Sequence, residues 1–309
     1  MVAILVGLVL LVVGAEALVR GASALALRLG LTPLVVGLTV VAFGTSAPEL
    51  VVSVNAALAG KGAIAVGNVV GSNIANIGLI LGLAALVRPM RVQSQLVRVD
   101  LPVLVGVSVL MPLFVMGGLQ RWEGAILFAL LLVYLGVALR LARNESQNAA
   151  PIGADAVPRK PTGLPAQVLF IAGGLALLVY GADLFVVGAS EVARTAGISE
   201  RVIGLTLVAV GTSLPELATS LIAALRGESD LAVGNVVGSN IFNALGILGA
   251  AAMVNPLLGA TVEPVDFGAM LLFAVLLLPL AKSSFVISRK EGLLFLALYS
   301  GYLLWLARS

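Results

Sequence analysis

The 309-residue chain has no cysteine and no histidine. Those two absences remove disulfides, thiolate chemistry, Ser-His catalysis and His-ligated zinc together. Charge is scarce as well. Asp, Glu, Lys and Arg make up 11% of the residues, against roughly 25% in a soluble domain. A chain so poor in charge cannot cover a water-facing surface. It has apolar residues instead, 60% of the total, in runs of about 20, the length that crosses the hydrocarbon of a bilayer. The run from Val2 to Leu18 has no basic stretch before it and no small-residue cleavage site leading to a polar sequence, so it reads as a retained first helix.

Charges, prolines and glycines divide the chain into ten apolar spans: 2–27, 33–59, 63–87, 98–117 and 123–141 in the first half, and 166–193, 200–225, 230–254, 264–281 and 290–307 in the second. Between them, Arg143 to Pro165 is polar and proline-rich and reads as a linker. The expected domains are therefore residues 1–142, a linker at 143–165, and residues 166–309.

The two halves repeat each other. Gly44-Thr45-Ser46-Ala47-Pro48-Glu49-Leu50 recurs as Gly211-Thr212-Ser213-Leu214-Pro215-Glu216-Leu217. Gly67-Asn68-Val69-Val70-Gly71-Ser72-Asn73-Ile74 recurs as Gly234-Asn235-Val236-Val237-Gly238-Ser239-Asn240-Ile241. Both pairs lie 167 residues apart, and the same offset holds without a gap from residue 7 to residue 89. Five spans per half is an odd number, so the second copy should enter the membrane the opposite way round. Inverted repeats with a binding site between them are a common transporter architecture. The fold class expected is an all-α membrane protein of ten transmembrane helices in two inverted five-helix repeats, with helices 2, 3, 7 and 8 broken and forming the core. With the N-terminus outside, thirteen of the eighteen Lys and Arg residues fall on the inner side. Both termini are then outside and the linker is cytoplasmic, in a cell (inner) membrane.

Glu49 and Glu216 are acidic residues near the middle of apolar spans. A carboxylate at that depth costs several kcal/mol unless it is paired, solvated or bound to a cation. Nothing basic lies at the same depth in spans 33–59, 63–87, 200–225 and 230–254, so the natural counter-charge is a bound cation. A structural account stands beside this one without competing with it. Ser46-x-x-Glu49 and Ser213-x-x-Glu216 fit the capping box, in which the glutamate satisfies a backbone N–H. Pro48 and Pro215 disfavour helix just before them, so each helix should break and restart near Ser46 or Ser213, freeing the carbonyls of Ala42 and Ala209 as ligands. Asn68, Ser72, Asn73 and Asn76, with Asn235, Ser239, Asn240 and Asn243, add amides and hydroxyls. The G-x-x-x-G spacings of Gly67, Gly71, Gly234 and Gly238 read as helix packing. Oxygen ligands without nitrogen or sulfur suit Ca²⁺ and Na⁺. Thr45, Ser46, Thr212 and Ser213 have no histidine or lysine to activate them, so an intramembrane hydrolase is disfavoured and no enzyme is expected. Glu16 pairs most simply with Arg20; Asp183, its counterpart, has Val187 in place of the arginine. Glu228, Asp230, Glu263 and Asp266 are read as solvated helix ends.

At these motifs the sequence resembles the cation/calcium exchanger superfamily, specifically the prokaryotic sodium/calcium exchangers. That family carries G-[TS]-S-x-P-E on its second and seventh helices and G-N-x-x-G-S-N-x-x-[ND] on its third and eighth, and all four motifs match here. The resemblance implies antiport of Ca²⁺ against Na⁺ by alternating access, with helices one and six sliding past the rest. It also implies a ligand set of Glu49, Glu216, Asn76, Asn243, Thr45, Ser46, Thr212, Ser213, Ser72 and Ser239, with the carbonyls of Ala42 and Ala209. Some relatives, potassium-dependent ones included, have Asp where Asn243 stands. Here the site charge is about −2, which one Ca²⁺ neutralises, and K⁺ dependence is disfavoured. The alternatives are an H⁺/Ca²⁺ or other divalent/monovalent antiporter on the same scaffold, and a non-transporting cation sensor, for which the linker is too short to supply an output domain. No resident cofactor is expected. The partners are the transported cations and the bilayer, with no nucleic acid, and a monomer satisfies the reading.

Overall fold

In lipid every backbone N–H and C=O must find its partner within the protein, and helices take up nearly all of the described residues. The computed structural model describes residues 1–148, 163–195, 209–259 and 262–308. The helices are α1 (Val2–Leu29), α2 (Pro33–Thr45), α3 (Ala47–Leu58), α4 (Gly62–Val87), α5 (Leu96–Met116), α6 (Arg121–Asn148), α7 (Leu164–Thr195), α8 (Ala209–Thr212), α9 (Leu214–Arg226), α10 (Ser229–Val254), α11 (Pro264–Ser284) and α12 (Arg289–Leu306). Among the described residues seven of these are long and apolar enough to span a membrane, and α2 with α3 makes an eighth, bent by 48°. The first part of the span expected at 200–225 lies outside the described residues, as does most of the linker. The linker is shorter than expected on its first side, because α6 runs on to Asn148. No proline lies between Arg121 and Pro151, and an established helix extends at little cost.

Two of the four expected breaks are present. Pro48 and Pro215 sit in the first turn of α3 and α9, and the residues before those helices have nearly the same backbone angles: Ser46 φ −82°, ψ 8° and Ser213 φ −91°, ψ 7°. Helices α4 and α10 are not broken. Neither contains a proline, and each runs continuously through a widened π-turn, Asn76–Leu81 and Phe242–Ile247. Such turns rotate the side chains that follow and recur at functional sites. These two helices do form the core: 78% and 89% of their spanning residues are buried, against 22–39% in the other five unbent spans.

Close backbone contact joins the halves. A Cβ at Gly7 would lie 2.7 Å from Gly181 O, and one at Gly14 2.8 Å from Gly174 O. α1 and α7 are therefore antiparallel and packed through glycine at seven-residue intervals. Gly234 and Gly238 bring α10 equally close to Leu34 and Leu38 of α2, so the packing role expected of these glycines is met in the second half.

Past residue 89 the repeat continues where no fixed offset reveals it. Strand β1 (Met90–Arg91) pairs with β2 (Val286–Ile287), Met90 opposite Ile287, while Leu257 bridges Leu119. Gly82 meets Gly292 of α12 as Gly249 meets Gly124 of α6. Tyr134 donates to Asp100 Oδ1 at 2.9 Å, and Tyr302 to Asp266 Oδ1 at 2.8 Å. Asp266 is thus engaged rather than simply solvated. So is Asp230, which accepts from Gln93 Nε2 at 2.6 Å.

Candidate cation site

The two broken helices and the two widened helices meet at the centre. Glu49, Glu216, Ser46, Thr45, Asn76, Asn243 and Ser239 are all within 1% of full burial. The serines do not cap their own helices. Ser46 Oγ donates to Glu216 Oε1 at 2.8 Å, and Ser213 Oγ donates to Glu49 Oε1 at 3.0 Å. The capping box is therefore overturned: each serine is spent on the carboxylate of the other half. Thr45 and Thr212 also lie against Glu216 and Glu49 respectively. Both carboxylates sit in the first turn of a helix, where the N-terminal dipole favours negative charge.

Behind the carboxylates is a crossed lattice of amides. Asn73 Nδ2 donates to Asn240 O, and Asn240 Nδ2 to Asn73 O, both at 3.2 Å. Asn76 Nδ2 donates to Asn240 Oδ1 at 2.8 Å, and Asn243 Nδ2 to Asn73 Oδ1 at 3.0 Å. The N–H groups of Asn76 and Asn243 thus point into the lattice, and their oxygens point away from it. Lower down, Asn68 donates to Ser53 Oγ at 3.0 Å and Asn235 to Ser220 Oγ at 2.9 Å. Asn235 Oδ1 lies 3.1 Å from Thr45 Oγ1.

What remains is a set of oxygens. Glu49 Oε2, Glu216 Oε2, Asn76 Oδ1, Asn243 Oδ1 and Ser239 Oγ are buried and have no hydrogen-bond partner. Buried polar atoms without partners are rare, and carboxylate and amide oxygens can only accept. Among the described residues neither glutamate has an ion pair, and no three acidic side chains converge. Five unpartnered oxygens with a formal charge of −2 match a hard cation.

The amino-acid comparisons agree. The family model for the sodium/calcium exchanger protein matches residues 1–140 and 166–308. The chain belongs to the sodium/calcium exchanger family. This exchanger is 39% identical to inner membrane protein YrbG of Escherichia coli K12 over 313 residues, covering 98% of this chain and 94% of that one. It is 34% identical to sodium/calcium exchanger MaX1 of Methanosarcina acetivorans, covering 97% and 96%. A solved structure of the sodium-calcium exchanger NCX_Mj, soaked with Na⁺ and Sr²⁺, superposes with a TM-score of 0.85 at 34% identity, covering 97% of this chain and 96% of that one. The exchanger is a multi-pass membrane protein of a transporter family, not an enzyme.

The remaining expected site residues fall around the same centre. Ser72 Oγ lies 3.4 Å from Ser213 Oγ. Ala42 differs from expectation: its carbonyl accepts from Ser46 N at 3.0 Å and is not freed by the break. The carbonyl that loses its ordinary donor is Gly44, because residue 48 is proline. Ala209 opens α8 at the corresponding place. Asn73 and Asn240 orient the amides of Asn76 and Asn243, a role that their residue type alone does not reveal. Ser53 and Ser220 went unnoticed in the sequence, although each stands four residues after a glutamate on the same helix face and the two share the repeat offset.

Glu16 is more engaged than a local pair. Arg20 Nη2 lies 2.7 Å from Glu16 Oε1, and Arg226 of α9 also pairs with it. Arg226 stands where the first half has Ala59, so no repeat signal could have found it.

Proposed function

We propose that this exchanger carries Ca²⁺ outward or inward against Na⁺ by alternating access, with Glu49, Glu216, Asn76, Asn243, Ser239 and the hydroxyls of Thr45, Ser46, Ser72, Thr212 and Ser213 around the ion. The observation that carries the reading is the five unpartnered oxygens at the crossing of the two halves. Two carboxylates balance one Ca²⁺. Three Na⁺ in the same place would leave one positive charge, so the two cargoes compete for one dry site and are thereby coupled. Ten spans in two inverted repeats, termini outside and linker cytoplasmic, complete the proposal. The antiparallel α1–α7 pair and the reciprocal hydrogen bonds support the inversion, since a two-fold axis exchanges donor and acceptor in the way they are exchanged here.

The experiment is ion flux in proteoliposomes with Na⁺, K⁺ and H⁺ gradients imposed separately. Ca²⁺ uptake should follow an opposed Na⁺ gradient at clamped pH and ignore K⁺. Uptake that ignores Na⁺ and follows the pH gradient would replace Na⁺ by H⁺ as the coupling ion. A second result is expected from Asn243→Asp. It adds a third carboxylate at an oxygen that has no partner, so ion preference or pH dependence should change while the folded yield does not. An unchanged ion profile would remove Asn243 from the ligand set.

A further inference from the structure

The repeat places an acidic residue at the same point of α1 and α7, and the structure uses the two differently. Glu16 is held between Arg20 and Arg226. Asp183 is exposed and has neither hydrogen bond nor ion pair among the described residues. Its position is deep: α7 spans Leu164–Thr195, and residue 183 is about 5 Å along the axis from the helix midpoint, at ~1.5 Å per residue. Asp183 lines a depression of about 640 Å³, open to the outside of the molecule, together with Phe43, Gly44, Ala47 and Tyr180.

Gly44 and Ala47 flank Thr45 and Ser46, and Ser46 donates to Glu216. The floor of the depression is therefore the outer side of the α2–α3 break, and its inner side is the cation site. An ionised carboxylate cannot face hydrocarbon without water or a counter-ion. One carboxylate in a largely apolar lining cannot replace the 6–8 oxygens that Ca²⁺ requires, so a cation held there keeps most of its hydration. A negative charge in a low-dielectric cleft focuses the field and raises the local concentration of cations.

We propose that Asp183 forms an entry site for a hydrated hard cation, one step outside the dry site, on the route past Gly44 and Ala47. The inference rests on the exchange reading but is tested apart from it. The chain has no cysteine, so Ala176→Cys, on the same wall, supplies a single thiol. That thiol should react with membrane-impermeant thiosulfonate reagents, and with the cationic reagent about ten-fold faster than with the anionic one. Asp183→Asn should erase that preference. Failure to label, or a charge preference unchanged by Asp183→Asn, overturns the proposal whatever the protein transports. In flux assays Asp183→Asn should raise the half-saturating cation concentration about ten-fold while the saturating rate stays within about two-fold, and Asp183→Glu should restore it. A fall in the saturating rate alone would mark a structural role and overturn the entry site.

Discussion

Replacing Glu49 or Glu216 by Gln is expected to abolish exchange while leaving the protein folded. Glutamine keeps the shape and the oxygen that accepts from Ser213 or Ser46. It removes one of the two charges that would balance a divalent ion in a buried site. Taking one partner from a buried charged set costs about 3–5 kcal/mol, which is at least about a 100-fold loss in ion occupancy. Flux per folded protein, with folding checked by size-exclusion chromatography, should therefore drop at least about 100-fold in either variant. Near wild-type flux in one of them would reduce the site to a single essential carboxylate, and the charge balance with Ca²⁺ would go with it.

The second large effect is expected from the smallest of substitutions. A Cβ at Gly238 would lie 2.6 Å from Leu38 Cα and Leu38 O, and 2.9 Å from Ala42 Cβ. Two of those atoms are backbone, so the new methyl cannot be absorbed by a rotamer change. Helices α2 and α10 must part, and they carry Thr45 on one side and Ser239 and Asn243 on the other. Overpacking of this kind typically costs ~1–3 kcal/mol. We expect Gly238→Ala to lower the melting temperature by about 5 °C and to weaken transport as well. Gly106→Ala is the control, because nothing lies within 4 Å of the atom it adds. Alanine is favoured over glycine in a helix by ~1 kcal/mol, so Gly106→Ala should be neutral or slightly stabilising. Equal melting temperatures in the two variants would show that the close approach of α2 to α10 carries no energetic weight.

Much of the site was legible in the sequence because its signals are local. An acidic residue in an apolar run and a proline beside it can be read one residue at a time. The offset of 167 residues then pairs them. What the sequence concealed is which partner each group chooses. Ser46 has a suitable acceptor on its own helix and another across the molecule. Only the approach of α9 to the α2–α3 break decides in favour of Glu216. Helix continuity was concealed too. A π-turn needs no proline or glycine, so the asparagines at Asn76 and Asn243 look like interruptions when they are wide turns. Beyond residue 89 the repeat survives in contacts such as Gly82–Gly292 and Gly124–Gly249, because packing tolerates slips of one residue in the loops that a fixed offset does not. Arg226 breaks the repeat altogether, and an unrepeated partner leaves no trace in a self-comparison.

The crossed amides of Asn73 and Asn240 set a schedule for the growing chain. Asn76 orients on Asn240, which lies 164 residues later. At ~5–20 residues per second, synthesis of that stretch takes roughly 10–30 s. Throughout that interval the first half must wait in the bilayer with Ser46, Glu49, Asn73 and Asn76 lacking the groups that will later hold them. A half-made chain therefore has no half-made site: the buried oxygens acquire their positions together, when the second half arrives.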